Sequence, residues 1–334
     1  MTSADGNGSS VRSACRNILV GLLARQCGIV LYSPLGPRPH DDVSRCGASD
    51  ARQPRKSMAH HSPDSSSVAE RRRAFRRMHE HGCFVIPNPW DLGSARVLVQ
   101  LGFQALASTS AGFAWSMGEQ DTRVTLESVL AHLRQLVAGV DVPINADFEK
   151  GFAVAPAGVA RNVVLAAETG IAALSIEDST GDASSPLFEL DLSVERIRAA
   201  RQALDESPQR EAMLVGRSEG FIAGRPDLAE TIRRLTSYAE AGADCLYAPG
   251  LRSLADIESV VKAVAPKPVN VGVGSDFTTV AALAAIGVRR ISVGGALARA
   301  AWTGFLAAAQ EIAAHGTFGA LRAAIGGADL NARF

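Results

Sequence analysis

The chain has 334 residues, and its 34 basic and 34 acidic side chains give a formal net charge of zero. This balance argues against nucleic acid or an acidic membrane surface as a partner, because both attract an excess of positive charge. No apolar run reaches the roughly 20 residues that a membrane-spanning helix needs. The length suits one large α/β barrel or two smaller domains.

Five cysteines bear on the compartment of the protein. None forms a CxxC pair, and none joins histidines at the spacing of a zinc site. An odd count without a disulfide framework favours reduced thiols, so we predict a cytoplasmic protein. The cysteines are Cys15, Cys27, Cys46, Cys83 and Cys245.

Residues 1–65 differ from the rest of the chain. They are rich in Ser, Arg, Pro, His and Gly and show no helical or strand period. We predict a disordered extension or a mis-assigned start here, with Met58 as a suitable first residue. A transit peptide is the alternative, because Arg and Ser are frequent, although acidic residues interrupt the segment. Residues 66–334 are predicted to form the folded domain.

From residue 67 onwards, short β-branched runs alternate with helical stretches. The predicted strands, in chain order, are Cys83–Pro87, Ala105–Thr109, Pro143–Asp147, Ala173–Glu177, Met213–Ser218, Cys245–Ala248, Pro268–Val273 and Arg290–Val293. The predicted helices that follow them are Leu92–Leu101, Thr125–Ala138, Pro156–Glu168, Ser193–Leu204, Pro226–Ala241, Ser253–Val264, Phe277–Ile286 and Ala296–Ala314. Ser193 is predicted to cap its helix, with Arg196 on the exposed face.

The alternation of strands and helices implies that the strands pair in parallel. Eight such units over roughly 250 residues match the (β/α)8, or TIM, barrel. A doubly wound open sheet is the competing fold, and it calls for a glycine-rich phosphate turn after the first strand. The turn Pro87-Asn-Pro-Trp-Asp-Leu-Gly lacks that pattern, so we predict the barrel.

Polar side chains collect where the predicted strands end, which is the catalytic face of a TIM barrel. The acids there are Asp121, Asp147, Glu149 and Glu177. Carboxylates in such proximity repel one another or take up protons, and a divalent cation removes that cost. Oxygen ligands without histidine or thiolate suit Mg²⁺ or Mn²⁺. Helix caps and surface ion pairs are the alternative roles of these acids.

The same rim offers groups that bind and transform a small anionic substrate. Arg217 suits a carboxylate, and the turn of residues 108–112 offers hydroxyl and backbone N–H groups to a second anionic end. The candidate proton donors are Tyr247, Glu219 and a metal-bound water. Tyr247 could alternatively have only a packing role. The predicted substrate contacts are Trp90, Thr109, Ser110, Gly112, Arg217 and Asn270.

Other polar residues are predicted to have only structural roles. Asp91 and Asp178 are expected to cap the helices that follow them. His132 and His315 fall in helical patterns away from the rim, so we predict solvent-exposed helix faces for both. Cys245 lies inside a strand and is predicted to be buried.

Five motifs occur in order between about residues 83 and 315. They are Asn88-Pro-Trp-Asp with Gly93-Ser-Ala-Arg, Ser108-Thr-Ser-Ala-Gly, Ala146-Asp-Phe-Glu-Lys-Gly-Phe, Ile176-Glu-Asp-Ser and Gly216-Arg-Ser-Glu. Together they resemble the isocitrate lyase/phosphoenolpyruvate mutase superfamily. The resemblance implies a (β/α)8 barrel whose last helix is often exchanged between the subunits of a dimer, commonly within a dimer of dimers. It also implies Mg²⁺ beside an α-oxo acid or its enolate.

The resemblance further implies roles for the rim residues. The acid matching Asp147 contacts the metal, and the three other acids hold it largely through water. The arginine matching Arg217 binds the substrate. The turn matching Thr109 and Ser110 binds a carboxylate or a phosphonate.

Three departures place the chain in a divergent, phosphoenolpyruvate mutase-like branch. Glu149 stands where the family usually has aspartate. The loop of residues 179–188 lacks the Cys, Lys and His residues of the named enzymes. Tyr247 replaces the histidine of the mutases.

We therefore predict a Mg²⁺-dependent lyase that cleaves a C–C bond of a small α-oxo or α-hydroxy carboxylate through an enolate. Its reaction would resemble that of an oxaloacetate decarboxylase or hydrolase, which tolerates the missing cysteine better, or that of a methylisocitrate lyase. One alternative is a phosphonate mutase or hydrolase acting on a P–C bond, against which the missing loop lysine counts. The other is a barrel that binds a carboxylate without turnover. We predict a homodimer or homotetramer.

Overall fold

The computed structural model describes residues 65–334. The prediction for residues 1–65 therefore lies outside the described residues, except at Ser65, where the first helix begins. Within the described part of the chain, no helix is both long and apolar enough to cross a membrane.

Eight strands form the centre of the fold, and each predicted strand is confirmed to within two residues at either end. The strands are β1 (Phe84–Ile86), β2 (Leu106–Ala107), β3 (Ile144–Asp147), β4 (Ala173–Glu177), β5 (Met213–Arg217), β6 (Cys245–Tyr247), β7 (Val269–Gly272) and β8 (Arg290–Ser292). All their pairings are parallel, in the order β1-β8-β7-β6-β5-β4-β3-β2.

Helices alternate with these strands, and all eight predicted helices are present. The helices are α1 (Ser65–Met78), α2 (Leu92–Gln100), α3 (Ser110–Ser116), α4 (Leu126–Gly139), α5 (Pro156–Glu168), α6 (Leu190–Glu206), α7 (Leu228–Glu240), α8 (Leu254–Val264), α9 (Val280–Ala285), α10 (Ala296–His315) and α11 (Gly327–Asn331). A 3₁₀ helix spans Gly319–Ala323. The sequence did not predict α1, α3 or α11, which are additional to the eight strand–helix units.

The sheet closes into a barrel at the seam between β1 and β2. The backbone N–H of Ala107 donates to the carbonyl of Pro87 at 3.0 Å. The side-chain amide of Asn88 donates to the carbonyl of Ser108 at 2.8 Å. Its Oδ1 atom accepts from the backbone N–H of Gly294 at 2.9 Å. The predicted (β/α)8 barrel is thus confirmed, and Asn88 joins three strands at the carboxyl-terminal end, the mouth of the barrel.

Apolar side chains seal the opposite end of the barrel. Phe75 of α1 is fully buried and meets Phe84 of β1 edge to face, with ring centroids 6.2 Å apart. Met213 of β5 belongs to the same buried cluster. Arg72 of α1 donates to the carbonyl of Ile171 at 2.9 Å, which ties the helix to the loop before β4. Helix α1 therefore closes the amino-terminal end, and polar side chains gather at the mouth.

Two predictions about α6 are wrong. Ser193 does not cap the helix, because α6 begins at Leu190 and Ser193 lies buried within it. Arg196 does not face solvent, since it is only 1% exposed and its guanidinium carbon lies 4.1 Å from the centre of the Phe188 ring. The long arginine stem packs under the loop after β4, which a helical pattern alone does not reveal.

The prediction of an exposed His132 is also wrong. Its ring is 6% exposed and stacks on Phe113 with centroids 4.1 Å apart. Burial lowers the pKa of His132 to about 4, so the ring is neutral at physiological pH. The exposed position of His315, the burial of Cys245 and the capping of α2 by Asp91 are confirmed.

Large apolar side chains of α10 face outwards. Trp302 is 38% exposed, Phe305 59% and Leu306 46%. Of the residues in this helix, Ala298 is the one that is fully buried. A 20-residue helix with this composition presents an extended apolar surface, which is the mark of an interaction site.

Candidate active site

A cavity of about 210 Å³ lies at the mouth of the barrel. This volume is below the roughly 300–1,000 Å³ of pockets for drug-sized ligands, so it suits a small molecule. Seven of the predicted site residues line it: Thr109, Ser110, Asp121, Asp147, Arg217, Tyr247 and Asn270. The other five lie outside this lining: Trp90, Gly112, Glu149, Glu177 and Glu219.

Arg217 joins three acids of the mouth. It is the last residue of β5 and lies in register with Glu177 of β4. Its Nη1 atom is 3.1 Å from Asp147 Oδ1 and 3.4 Å from Glu177 Oε2. Its Nε atom donates to the carboxylate of Glu219. These four side chains are at most 17% exposed, so one guanidinium faces three carboxylates in a setting with little water.

Three glutamates near the mouth, Glu149, Glu177 and Glu219, have raised pKa values. Burial raises the pKa values of Glu177 and Glu219, although Arg217 opposes the rise for both. Burial together with the carboxylates of Asp147 and Asp121 raises the pKa of Glu149 to about 7. Negative charge therefore exceeds positive charge among these side chains, and an added cation would favour their ionised forms.

Glu149 combines an unusual backbone with an unpaired carboxylate. Its φ angle is +47°, a left-handed conformation that typically costs a non-glycine residue on the order of 1–3 kcal/mol. The residue is 5% exposed, and its Oε1 atom has no hydrogen-bond partner in the described part of the chain. Gly151 and Phe152 also have positive φ angles. This strained turn after β3 holds a buried carboxylate that calls for a proton or a cation.

These acids fit a magnesium ion in their chemistry. Among residues 65–334, no three or more His, Cys, Asp or Glu side chains are arranged so that they could all bind one metal ion directly. Magnesium, however, usually keeps several waters and takes only one or two carboxylates. Asp147 lines the cavity and could bind the ion directly, while Glu149 has an oxygen without a partner. An all-oxygen set of this kind suits Mg²⁺ or Mn²⁺.

The turn after β2 positions Asp147. The backbone N–H and the hydroxyl of Ser110 both donate to Asp147 Oδ2 at 3.0 Å. Thr109 caps α3 by accepting from the Gly112 N–H at 3.2 Å. A Cβ on Gly112 would stand 2.9 Å from the Cβ of Trp90, so close packing requires glycine here. The contacts of these residues with a substrate stay predictions.

Asp178 does not cap a helix, contrary to the prediction. It is 2% exposed, and its Oδ1 atom accepts from the backbone N–H of Glu219 at 2.8 Å. Its Oδ2 atom accepts from Arg234 at 3.1 Å and from the Tyr238 hydroxyl at 2.7 Å. This buried network fixes the backbone of Glu219, and it could not be anticipated because its donors come from a different strand and helix.

A lysine from the turn after β3 contacts the loop after β4. Lys150 Nζ donates to the carbonyl of Thr180 at 2.7 Å. The loop also forms an antiparallel bridge between Ser179 and Leu187. Residues 179–188 carry no lysine of their own, but Lys150 contacts the start of this loop, and Arg234 donates to the carbonyl of Phe188 at its end at 3.0 Å.

The sequence missed a polar layer inside the barrel. It contains Asn145, Ser175, Arg290 and Ser292, which line the cavity beneath the rim. This layer could have been predicted from the strands, because every second residue of a barrel strand faces inwards. Asn145 lies two residues before Asp147 and shares its face, and an arginine in a short buried strand is rare enough to mark it.

Comparisons with known proteins place this architecture in a family. Residues 75–313 match the model of the phosphoenolpyruvate phosphomutase family. A Burkholderia cenocepacia J2315 protein described as a lyase/mutase is 47% identical, with a TM-score of 0.76 over 80% of this chain and 96% of that one. Oxaloacetate decarboxylase of Pseudomonas putida GB-1 is 28% identical over 59% of this chain and 68% of its own length. An oxaloacetate acetylhydrolase, solved with its product oxalate, is 25% identical, with a TM-score of 0.70 over 80% of this chain and 93% of that one.

The chain belongs to the phosphoenolpyruvate phosphomutase family, since the match covers most of its length. It is therefore an enzyme of the isocitrate lyase/phosphoenolpyruvate mutase superfamily, which confirms the resemblance seen in the motifs. Enzymes of this group cleave C–C or P–C bonds in small carboxylic acids.

Proposed function

We propose that this protein is a Mg²⁺-dependent lyase that breaks a C–C bond in a small 2-oxo or 2-hydroxy carboxylic acid. The acids gathered around Arg217, together with the unpaired carboxylate of Glu149, carry this proposal. Members of the superfamily depend on Mg²⁺, and the oxalate bound to the related acetylhydrolase supports a small acid as the ligand.

Asp147 and the acids near it would hold the ion, with Ser110 orienting the Asp147 carboxylate. Mg²⁺ bound there would polarise the oxygen on C2 of the substrate and stabilise the negative charge that develops on bond cleavage. Arg217 can bind a substrate carboxylate through Nη2, which has no hydrogen-bond partner among the described residues. Its other N–H groups keep the surrounding acids in place.

Two cleavage reactions fit the cavity and share one final step. In a 2-hydroxy diacid the C2–C3 bond breaks, the hydroxyl loses its proton to form the 2-oxo group, and the bonding electron pair moves to C3. In a 2-oxo diacid the C3–C4 bond breaks, CO₂ leaves, and the electron pair forms an enolate. Both reactions end when a proton is added to C3, so the enzyme needs a proton donor that faces the cavity.

Tyr247 is the donor that the geometry favours. It lines the cavity, whereas Glu219 lies outside the lining and is bound to Arg217. Burial raises the pKa of the Tyr247 phenol, although Arg217 opposes the rise, so the hydroxyl stays protonated at neutral pH. The guanidinium carbon of Arg217 lies 5.3 Å from the centre of the Tyr247 ring, so the phenol is next to the cation that we propose to bind the substrate.

Thermal unfolding with Mg²⁺ and oxalate tests the metal site. Oxalate mimics the enolate of a 2-oxo acid and should raise the midpoint of the wild-type protein only when Mg²⁺ is present. At a hundredfold excess over its dissociation constant the ligand should add about 2.7 kcal/mol of stability. Asp147→Asn should remove the shift in the unfolding midpoint. Asp141→Asn changes an exposed acid just before β3 and should keep the shift.

A substrate panel then distinguishes the alternatives. Turnover of 2-oxo or 2-hydroxy diacids with Mg²⁺ is expected, and cleavage of phosphonopyruvate alone would favour the P–C reaction. Tight binding of Mg²⁺ and oxalate without any turnover would favour a barrel that only binds carboxylates. If oxalate gives no shift in the wild-type protein, the magnesium site is wrong.

The homodimer or homotetramer stays a prediction, which the exposed apolar face of α10 supports. Sedimentation velocity should show a dimer or a larger species, because Trp302 and Phe305 would be covered by a second copy. Phe305→Glu should shift the protein towards monomer. Gln310→Glu, a change at an exposed position of the same helix, should not. A wild-type monomer at micromolar concentration would contradict the prediction.

A further inference from the structure

Arg290 is a buried arginine without a carboxylate partner. It is 3% exposed, lines the cavity and forms no ion pair with any described residue. Its Nε atom donates to Asn270 Oδ1 at 2.9 Å, and its Nη1 atom donates to Asn145 Oδ1 at 3.3 Å. Arg217, the other arginine of the cavity lining, faces three carboxylates. Arg217 therefore has an excess of carboxylate partners, whereas Arg290 has none among the described residues.

The guanidinium of Arg290 lies deeper in the barrel than the acids of the mouth. Arg290 is in register with Phe84, which packs at the closed end. Its side chain reaches Asn145, which precedes Asp147 by two residues on β3. Two residues of a parallel strand span about 6.6 Å. An extended four-carbon diacid has a similar length, about 6 Å with C–C bonds of about 1.5 Å.

The surroundings of Arg290 leave its charge uncompensated. The amide groups of the two asparagines are already used, because Asn270 Nδ2 donates to Ser292 Oγ at 2.9 Å and Asn145 Nδ2 to the Ala146 carbonyl at 3.1 Å. Only their oxygens face the arginine. The Nη2 atom of Arg290 has no hydrogen-bond partner among the described residues. A buried cation in this state is costly unless an anion joins it.

We propose that Arg290 binds the second carboxylate of a dicarboxylic acid, the one farthest from the mouth. The proposal rests on the proposed function, because the first carboxylate and the C2 oxygen would occupy the mouth. One guanidinium with neutral neighbours matches the single charge of a carboxylate. A phosphonate dianion would leave about one charge unpaired, since the asparagine N–H groups are engaged elsewhere.

This position also selects between the two cleavage reactions. When the C2–C3 bond breaks, the electron pair on C3 is shared with the adjacent distal carboxylate, whose oxygens gain negative charge. Arg290 lies where that charge develops and stabilises it. Loss of the distal carboxylate as neutral CO₂ would instead break its ion pair with Arg290. The distal carboxylate is therefore retained in the product.

Calorimetry with three probes tests the binding role. Oxalate fills only the mouth. Lactate is a 2-hydroxy acid whose C3 is a methyl group, and malate is lactate with a carboxylate on C3. With Mg²⁺, wild-type protein should bind malate at least about tenfold more tightly than lactate. Arg290→Gln should abolish this preference and leave the affinities for oxalate and lactate unchanged. Arg289→Gln, a change in the neighbouring arginine that contacts the Gly82 carbonyl, should keep the preference.

The outcomes separate this inference from the proposed function. If oxalate does not bind to wild-type protein, the mouth site itself is wrong. If oxalate binds but malate has no advantage over lactate, the role of Arg290 is overturned, whatever the variants do. Equal weakening of all three probes by Arg290→Gln would indicate a purely structural arginine and would also overturn it. Arg290→Lys keeps the charge and should retain part of the malate preference, so it replaces the glutamine variant if that does not fold.

Product analysis tests the retained carboxylate. Wild-type protein with a 2-hydroxy diacid should give products that keep the distal carboxylate, and it should not release CO₂ from oxaloacetate. Rapid release of CO₂ from C4 that depends on Arg290 would overturn this part of the inference.

Discussion

Arg217→Met should abolish turnover and lower the free energy of unfolding by about 3–5 kcal/mol, the usual cost of removing one partner from a buried charge pair. The guanidinium contacts Asp147, Glu177 and Glu219, and each of these side chains is at most 17% exposed. Its loss leaves three carboxylates without a cation and removes the group proposed to bind the substrate. Denaturant unfolding with EDTA measures the stability effect, and a diacid cleavage assay measures the rate.

The stability loss should depend on pH in a defined direction. In the wild-type protein, burial raises the pKa values of Glu177 and Glu219, and Arg217 opposes the rise. Without Arg217 their folded-state pKa values rise further above those of the unfolded chain. The folded variant then binds more protons than the unfolded variant, so its stability falls as pH rises through this window. The difference in the free energy of unfolding between Arg217→Met and the wild-type protein should be smallest near pH 5 and larger at pH 8.

Arg201 offers a matched control. It is 14% exposed and contacts Asp244 at 3.2 Å and Asp205 at 2.7 Å, at the amino-terminal end of the barrel. Arg201→Met should cost stability but leave the turnover of the folded protein intact. If Arg217→Met retains measurable turnover, or if its stability loss is largest at low pH, the central role of this arginine is wrong.

The barrel itself could be predicted because its signals are local. Each strand is a short apolar run bounded by a glycine or a polar turn, and parallel strands in this fold are buried on both sides. The acids were found by the same logic, since the carboxyl ends of all eight strands meet at one mouth. Asp147 and Arg217 were thus placed together although they are 70 residues apart in the chain.

The missed features depend on contacts between distant elements. His132 looked exposed because its helical pattern does not show that Phe113, on a helix absent from the prediction, covers it. Asp178 looked like a cap because its donors Arg234 and Tyr238 come from α7. Arg290 was overlooked because its strand is only three residues long. So short a strand hardly shows the alternation of inward-facing and outward-facing residues.

Tyr247→Phe should lower kcat by about 10²–10⁴-fold, the usual contribution of a general acid, and change KM little. The substitution removes only the hydroxyl that is proposed to deliver the proton to C3. The ring keeps its place beside Arg217, with the guanidinium carbon 5.3 Å from its centre. Mg²⁺-dependent binding of oxalate should therefore survive. Stopped-flow or steady-state kinetics on the best substrate of the panel gives kcat and KM separately.

A second variant moves the hydroxyl without removing it. A Cβ added to Gly272 would lie 2.5 Å from the Tyr247 hydroxyl oxygen, which is closer than any real contact allows. Gly272→Ala should therefore displace the phenol and lower kcat with little change in oxalate binding. Gly304→Ala is the control, because a Cβ there meets no atom within 4 Å. Near-wild-type kcat in both Tyr247→Phe and Gly272→Ala would assign the proton to water, whereas loss of oxalate binding would mean that Tyr247 shapes the mouth and is not the proton donor.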